Sequence, residues 1–446
     1  MRPRSAAPGR SAASRIAGLL QHRHAVAFII SVGLVLRLAV AIAFPVTPIS
    51  DASWYVNTAS DLANGLGYRD QGLPTAFWPV GWPAALALAI ALTKSVPAAV
   101  ILLNLAASAL IMLAMVWIGR DLQFPENATR LALLLYALYP NHVAYAGVAL
   151  SELYFTALLM VAMWLLLRRH ISIVSLLLCG VLFGLAVLTK PQTIVVPAGA
   201  LIMALLATRR FAIRDALKRL LIVCAVMAAV LAPWIGRNHQ VFGTFVFVST
   251  NGGVGLLAGA HDEATGDHME IQETKAFAAL GIPWAERVAR QVELDRAEKD
   301  AAIAWIKANP GAYVALMPVK LFRLWWKDTD GFWWFGGDYP DATYLIRPLQ
   351  VLNQLFYISV LVGAFICLCH AMKGLLRRDE GSSQLLLLFA VPVFVSIISI
   401  FFTGQIRYHF AAMPYLIMAA AWIAMRSFQA VSKADVGVRN DHGQAG

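Results

Sequence analysis

The sequence has few charged residues, and its first 50 residues contain no acidic residue at all. Asp, Glu, Lys and Arg make up 14% of the 446 residues, against about 25% in an average soluble domain. This scarcity excludes an ordinary soluble globular protein. The apolar runs are continuous and about 17–25 residues long, which is the length that a helix needs to cross a bilayer. They therefore also exclude a β-barrel, which needs alternating segments of about 10 residues.

Cysteine is scarce as well. The chain has four cysteines, all inside apolar runs: Cys179, Cys224, Cys367 and Cys369. Buried free cysteines behave as small apolar residues, so this pattern excludes a disulfide framework, and no spacing of Cys and His is typical of a metal site. With 59% hydrophobic residues, the sequence predicts an all-α polytopic membrane protein.

The long apolar runs predict a helical bundle of about ten membrane spans. We place these spans at 25–44, 98–119, 130–147, 153–167, 172–189, 192–208, 219–236, 350–370, 384–402 and 409–425. The run 79–93 is apolar but short and contains two prolines, so we predict a helix that lies on the membrane surface.

Basic residues concentrate in alternate connections between these spans. With the N-terminus inside, the cytoplasmic segments contain 20 of the 36 Lys and Arg residues but only seven of the 25 Asp and Glu residues. Cytoplasmic loops are enriched in Lys and Arg, so both termini are predicted to be cytoplasmic, with the protein in the cytoplasmic (inner) membrane. The net charge of +11 is then a signal of topology. No basic soluble face typical of nucleic-acid binding is visible, and we predict no nucleic-acid partner.

This orientation divides the chain into a cytoplasmic basic tail, a membrane module that contains the first outer loop, an outer (periplasmic) segment, a second set of spans and a cytoplasmic tail. The respective ranges are 1–24, 25–236 with the loop at 45–97, 237–349, 350–425 and 426–446. In the outer segment, 238–261 is typical of short strands and turns, and 284–308 of a charged amphipathic helix. We expect a small mixed subdomain there.

Two carboxylates lie at the outer ends of predicted spans. Asp51 begins the amphipathic pattern "DASWYVNTASDLANGLGY", and Glu152 follows a very short turn in "ALSELYF". Each residue could simply cap a helix. Alternatively, Asp51 could act as a general base or metal ligand, because a helix N-terminus keeps a carboxylate ionised. Glu152 would be held at membrane depth, where a carboxylate is costly unless it is paired or used.

Three basic residues lie at the same membrane face: Lys190 in "VLTKPQ", Arg237 in "PWIGRN" and Arg407 in "GQIRYHF". A single Lys or Arg at a span end usually extends towards the headgroups. Outer rims are normally poor in cations, however, and three cations together suit a lipid phosphate. Arg37 lies within the first span, where it is either a functional residue or the partner of an acid.

Several motifs, in this order and spacing, resemble the GT-C superfamily of integral membrane glycosyltransferases. They are "SDASWYVNTASDLANGLGY", "WPVGWPAALALAIAL", "SELYF", "LTKPQ", "PWIGRNHQVFGTFVFVSTNGG" and "IRYHFAAMPYLIMAAAW". The branch that the sequence most resembles contains the protein O-mannosyltransferases and the lipid A aminoarabinose transferases. One Asp stands where O-mannosyltransferases have an adjacent acidic pair, which argues against protein mannosylation as the specific activity.

The resemblance implies a hexosyl- or pentosyltransferase that takes its sugar from a polyprenyl-phosphate donor and passes it to an acceptor glycan, lipid or protein. It implies that Asp51 is the essential acid and acts as base, that Glu152 is the second acid, and that Arg407 helps to hold the lipid phosphate. The remaining residues that we assign to the site are Lys190, Arg237 and Tyr408 at the phosphate, and Tyr55, Trp78 and Asn251 in its lining. No cofactor is certain; a divalent metal ion, if present, would bind Asp51 and Glu152.

Two other classes remain open from the sequence. A transporter or flippase would favour ionisable residues at the bilayer midplane and paired repeats of broken helices, whereas the charges here lie at one face. A polysaccharide ligase or polymerase of another multi-span family would share the lipid-linked donor and the basic outer face. The early Asp51 and the long outer segment favour the GT-C interpretation.

The predicted topology can be tested with fused reporters. A reporter placed near residue 275 should be active only if it needs export, and one placed at Arg214 only if it needs the cytoplasm, because the positive loops face inside. Activity measured in intact cells gives the result. The opposite pattern would move Asp51 and Glu152 to the cytoplasmic face and overturn the site assignment.

Overall fold

The computed structural model describes residues 24–209 and 212–443, and the basic tail predicted for 1–24 lies outside the described residues except for His24. The α-helices are α1 Ala25–Ala43, α2 Ser50–Ala63, α3 Gly81–Thr93, α4 Val96–Asp121, α5 Glu126–Ala137, α6 Pro140–Ala144, α7 Glu152–Leu167, α8 Ile173–Thr189, α9 Val196–Ala207, α10 Ile213–Phe242, α11 Gly252–Ala258, α12 Lys275–Ala278, α13 Gln291–Ala308, α14 Pro310–Trp325, α15 Asp330–Trp333, α16 Thr343–Leu376, α17 Glu380–Ser383, α18 Ala390–Phe401 and α19 Met413–Gly443.

Short 3₁₀-helices connect several of these elements: Tyr145–Gly147, Pro191–Val195, Ile271–Glu273, Trp284–Glu286, Pro340–Ala342, Gln384–Phe389 and Ile406–Ala412. In the described part of the chain, β-structure is confined to an antiparallel hairpin of β1 Arg69–Asp70 and β2 Leu73–Pro74, in which Arg69 pairs with Pro74. The all-α membrane architecture is therefore confirmed.

Six helical stretches of the described residues are long and apolar enough to cross a membrane: Ala25–Ala43, Val96–Asp121, Ile213–Phe242, Pro340–Leu376, Glu380–Phe401 and Ile406–Phe428. A seventh span exists if Pro140–Gly147 and Glu152–Leu167, which meet at an angle of 117°, count as one. The predicted number of ten is not confirmed, because Ile173–Thr189 and Pro191–Ala207 are apolar but shorter.

The bend before α7 is stabilised by side chains of neighbouring helices. The buried amide of Asn104 on α4 donates to the carbonyls of Tyr145, Ala146 and Val148, at 3.0–3.2 Å. The indole of Trp82 on α3 donates to the carbonyl of Ala149. Broken helices are tolerated at membrane depth only where other groups satisfy the freed backbone. These donors therefore fix the turn that ends at Glu152.

Arg37 has a comparable role in α1. Its guanidinium is fully buried and donates to the carbonyls of Ala137 at 3.0 Å and Tyr136 at 3.1 Å, where α5 ends. A third bond joins it to the carbonyl of Gly33. Its hydrogen bonds in the described structure thus go to helix carbonyls, so Arg37 satisfies backbone acceptors that lipid could not.

The outer segment differs from the predicted mixed subdomain. All of 238–261 is described, and it contains no strand. Helix α10 continues to Phe242 and ends at Gly243, whose φ of 65° is typical of a helix stop. The extended residues that follow find no partner strand: Val248 accepts from the Trp234 indole, and Thr250 donates to the carbonyl of Ala76. The charged helix predicted over 284–308 forms only in part, as α13 from Gln291, after the 3₁₀-helix Trp284–Glu286.

The buried amide of Gln291 joins the first outer loop to the second. Its oxygen accepts from the Ala76 backbone at 2.8 Å, and its nitrogen donates to the carbonyls of Pro74 and Val288. The Thr250 hydroxyl also contacts the amide oxygen. One side chain at the start of α13 thus connects three separate parts of the chain, and this connection holds the first outer loop in place.

The role of Arg37 can be tested by Arg37→Leu. Loss of three charged hydrogen bonds should lower the free energy of unfolding by about 2–3 kcal/mol, measured by thermal unfolding in detergent. Val35→Leu is the matched control on the same helix, since Val35 is 65% exposed, and it should change little. Equal stability of Arg37→Leu and the wild type would show that the carbonyls find other donors.

Candidate active site

Asp51 lies in the first turn of α2, but it does not cap that helix. The residue before α2 is Ile49, and no side chain makes the capping bond. Instead, the Asp51 carboxylate accepts a hydrogen bond from Nη2 of Arg407 at 2.9 Å, across 356 positions of sequence. The amphipathic pattern forms a helix that ends at Ala63. The interpretation of Asp51 as a helix cap does not hold.

Glu152 begins α7 and is 3% exposed. Ser151 precedes the helix without a capping side-chain bond. The Glu152 Oε1 atom lies 3.2 Å from Nζ of Lys190 and 3.5 Å from Nε of Arg407. Its second oxygen, Oε2, is buried and has no hydrogen-bond partner among the described residues. One carboxylate oxygen is thus held by two cations, while the other is free to accept a proton or a ligand hydroxyl.

Arg407 lies in the 3₁₀-helix Ile406–Ala412, between α18 and α19. Its guanidinium contacts both carboxylates, Asp51 and Glu152, and is 15% exposed. The formal charges of Asp51, Glu152, Lys190 and Arg407 cancel. Because a buried charge is costly unless it is paired, each of these residues depends on the others for its position.

A cavity of about 410 Å³, measured with its opening, begins at this cluster. Its polar end is formed by Glu152, Lys190 and Arg407, together with Gln192 and Tyr408. Its remaining walls are largely apolar: Phe155, Thr156, Phe394, Val395, Ile398, Phe410 and Ala411. Asp51 does not line the cavity; it reaches the cluster through Arg407. The arrangement suits a ligand with an anionic group and a long apolar chain.

Tyr55 and Trp78 extend the site along α2 and the first outer loop. Their rings lie 6.1 Å apart. Burial raises the pKa of the Tyr55 phenol well above its usual value, and the negative charges of Asp51 and Glu152 add to that shift. Tyr55 is therefore neutral and remains a hydrogen-bond donor beside the two carboxylates.

Asp330 is a third acid near Arg407, and sequence reasoning missed it. Its carboxylate accepts a hydrogen bond from the hydroxyl of Tyr145. Burial raises the pKa of Asp330, and the positive charge of Arg407 opposes that shift. The signal in the sequence was an acid within the Trp-rich stretch "WWKDTDGFWWF", but the fold alone brings this stretch next to Arg407.

Arg237 and Asn251, which were assigned to the site, lie outside the charged cluster. Both terminal nitrogens of Arg237 donate to backbone carbonyls, at 2.7 Å to Thr75 and 3.0 Å to Tyr68, and its guanidinium lies over the Trp234 ring. Asn251 precedes α11 and accepts from the Ser249 hydroxyl. Arg237 therefore braces the first outer loop, and its charge is directed at backbone rather than at the cavity.

The residues present do not fit a divalent ion between Asp51 and Glu152. The guanidinium of Arg407 contacts both carboxylates, so a cation already occupies the position that a bridging metal would take. Within the described part of the chain, no group of three or more His, Cys, Asp and Glu side chains could hold a metal ion. We therefore derive no step that uses a metal.

This chain is similar to known membrane proteins in sequence and in fold. Residues 78–236 match the family described as dolichyl-phosphate-mannose-protein mannosyltransferase. The apo oligosaccharyltransferase of Archaeoglobus fulgidus superposes with a TM-score of 0.53 at 13% identity, over 92% of this chain and 52% of that one. The chain has the GT-C membrane fold.

Two further structures are similar. The Archaeoglobus fulgidus enzyme AglB, in complex with an inhibitory peptide and a dolichol-phosphate, matches with a TM-score of 0.50 at 12% identity, over 92% of this chain and 52% of that one. Cupriavidus metallidurans ArnT bound to undecaprenyl phosphate gives a TM-score of 0.45 at 14% identity, over 90% of this chain and 78% of that one. The chain spans about half the length of the oligosaccharyltransferases that it matches. No curated protein matches the sequence.

The coupling of the charged cluster can be tested through stability. Arg407→Met leaves Glu152 buried with one cation and Asp51 with none, so we expect a loss of about 3 kcal/mol in the free energy of unfolding. Adding Asp51→Asn should recover part of that loss, because it removes the unpaired charge. Thermal unfolding in detergent measures both. Strictly additive losses would mean that Asp51 and Arg407 do not stabilise one another.

Proposed function

We propose that this protein is a membrane glycosyltransferase that moves a sugar from a polyprenyl-phosphate donor to an acceptor at the outer face of the cytoplasmic membrane. The observation that carries the proposal is the Arg407 guanidinium, which lies between two carboxylates at the polar end of a largely apolar cavity. The GT-C fold supports the same activity. One of the similar structures, that of Archaeoglobus fulgidus AglB, was determined in complex with a dolichol-phosphate.

The donor phosphate binds at the polar end of the cavity. Arg407 and Lys190 supply the cations there, and Tyr408 lines the same wall. The first isoprene units of the donor lie along the apolar walls, beside Phe394 and Ile398. Arg binds phosphate oxygens in bidentate fashion, so the phosphate competes with Asp51 and Glu152 for the guanidinium. Donor binding therefore releases carboxylate oxygens for the next step.

Asp51 then acts as the general base. The acceptor hydroxyl gives its proton to the Asp51 carboxylate while its oxygen attacks the anomeric carbon. The bond from that carbon to the phosphate oxygen breaks, and the lipid phosphate leaves with the electron pair. Arg407 and Lys190 stabilise the charge that develops on it. One displacement inverts the anomeric centre, because retention would need a second, covalent step.

Glu152 holds the two cations in this scheme. Its Oε1 contacts both Lys190 and Arg407, so it fixes their separation before the donor arrives. Glu152 lines the cavity, and its Oε2, which has no hydrogen-bond partner among the described residues, accepts from a hydroxyl of the transferred sugar.

In this scheme the site lies at the rim of the bilayer. The donor is anchored by its lipid, so its reactive carbon stays at headgroup depth. We propose that 45–97 and 237–349 form the outer parts that receive the acceptor, and that 25–236 and 350–425 hold the donor in the membrane, with both termini in the cytoplasm.

The proposal is tested by separating binding from turnover. Asp51→Asn should bind a labelled polyprenyl-phosphate sugar in detergent but transfer it about 10²–10⁴-fold more slowly, the usual worth of acid–base catalysis. Arg407→Ala should weaken binding and slow turnover, because the lipid phosphate is present in the ground state and in the transition state. Transfer of the label to acceptor is followed in the same samples.

Matched controls exist in the chain. Asp61→Asn changes another acid of α2, which pairs with Arg69 instead, and Arg296→Ala changes a basic residue that bonds Thr244. Both should keep binding and transfer. Full transfer by a folded Asp51→Asn would remove Asp51 as the base, and an absence of transfer by the wild type with every polyprenyl-phosphate sugar tried would overturn the proposed function.

A further inference from the structure

His409 is a fully buried histidine that follows Arg407 by two residues. Its Nδ1 atom lies 2.7 Å from the carbonyl oxygen of Leu324, and its Nε2 atom lies 3.1 Å from Oδ1 of Asp328. A carbonyl oxygen can only accept a hydrogen bond. Nδ1 must therefore carry a proton, and the state of the ring depends on what Asp328 offers to Nε2.

Asp328 is surrounded by donors. Besides His409, its carboxylate receives the hydroxyl of Tyr139, the amide nitrogen of Asn141 at 2.5 Å and the amide nitrogen of Asn353 at 3.2 Å. Donated hydrogen bonds favour the ionised form of a carboxyl group. An ionised Asp328 is an acceptor only, so Nε2 must donate to it as well.

The orientation of both amides is fixed independently of Asp328. The Asn141 oxygen accepts from the Gly331 backbone at 2.7 Å, and the Asn353 oxygen accepts from the Asn141 backbone at 3.0 Å. The orientation of an amide is assigned from its hydrogen-bond network. Each amide nitrogen is therefore the group that faces Asp328. The number of hydrogen-bond donors around Asp328 therefore does not depend on how the oxygen and nitrogen of either amide are assigned.

Two aromatic rings lie close to the histidine ring and nearly parallel to it. Trp325 and Tyr357 each lie 5.3 Å from the His409 ring and are tilted by only 15° and 23°. Aromatic faces attract a cation, Trp most strongly. A histidine ring with an acceptor at each nitrogen and two stacked aromatic rings nearby lies in an environment that favours a positive charge.

We infer that His409 is a buried imidazolium paired with Asp328, and that this pair is a positioning device for Arg407. The inference rests on the proposed function for its consequence, since Arg407 is the residue that holds the donor phosphate there. Only Tyr408 separates the two residues, so fixing the His409 ring fixes the turn that presents Arg407.

The pair also connects Arg407 to the parts of the chain that surround it. Asp328 joins residues 139–141 and α16 through its donors. Two residues further on, Asp330 accepts from Tyr145, and its environment includes the charge of Arg407. The segment 328–330 thus holds the turn 407–409 at His409 and contributes a third acid beside Arg407. Neither His409 nor Asp328 lines the cavity, so both act through Arg407 rather than on the donor.

The charge state is measured by nitrogen NMR on the full-length protein in lipid, labelled in histidine and arginine. The His409 signals are assigned by their loss in His409→Gln. Both ring nitrogens should show protonated, imidazolium shifts in the wild type, and Asp328→Asn should return the ring to a neutral form. A neutral His409 ring in the wild type would overturn the inference, whatever the activity of the protein.

The positioning role is read from the Arg407 side chain in the same samples. Its Nε signal, assigned by its loss in Arg407→Lys, should move towards the shifts of mobile arginines in both His409→Gln and Asp328→Asn. His370→Gln is the matched control, because His370 contacts Ser382 and Arg426 and should leave that signal in place. An unchanged Arg407 signal in Asp328→Asn would contradict the positioning role.

A double-mutant cycle on donor binding tests whether His409 affects the donor through Arg407. His409→Gln should weaken binding of the labelled polyprenyl-phosphate sugar about tenfold in the wild type, but change little in Arg407→Ala, because residues that act through one another are not additive. Equal losses in both backgrounds would mean a general structural role and overturn the inference. If the wild type binds no such donor, the proposed function fails, while the NMR arms still decide the state of His409 and its effect on Arg407.

Discussion

The site depends on one guanidinium that is shared by two carboxylates. Arg407 contacts Asp51 from the first outer loop and Glu152 from the bend before α7, and the last spans carry it. Three distant parts of the sequence therefore meet at one charge. Burying such a group is costly unless its partners are all present, so the cluster forms only when these parts are correctly assembled. The same pairing leaves a cation at the polar end of the cavity.

The position of Glu152 depends on hydrogen-bond donors for the backbone carbonyls that the preceding bend leaves unpaired. A sharp bend frees carbonyls that lipid cannot satisfy. Asn104 and Trp82 satisfy those at the bend before α7, and Arg37 satisfies those at the end of α5. These polar residues within apolar helices are therefore part of the architecture. Without them the turn would straighten, and Glu152 would move away from Lys190 and Arg407.

The basic residues that the sequence predicts at the outer rim divide into two kinds. Lys190 and Arg407 contact carboxylates at the cavity. Arg237 donates to backbone carbonyls of the first outer loop, which Gln291 also holds. Arg237 and Arg407 carry the same charge, and the sequence places both at the end of a span. Their roles differ because the nearest acceptor decides what a guanidinium does.

The sequence by itself determined the helical membrane architecture and singled out Asp51, Glu152, Lys190 and Arg407 as candidate site residues. These follow from local properties: apolar runs and the cost of placing charge at the end of a span. Only the tertiary structure decided that these four residues share one cluster, that Asp330 joins it, and that 238–261 forms no strand. Contacts across hundreds of positions have no local signal, since the pairing of Asp51 with Arg407 depends on how the first outer loop and the last spans pack together. The contacts of His409 are of the same kind, because its ring nitrogens meet Leu324 and Asp328, far away in the chain.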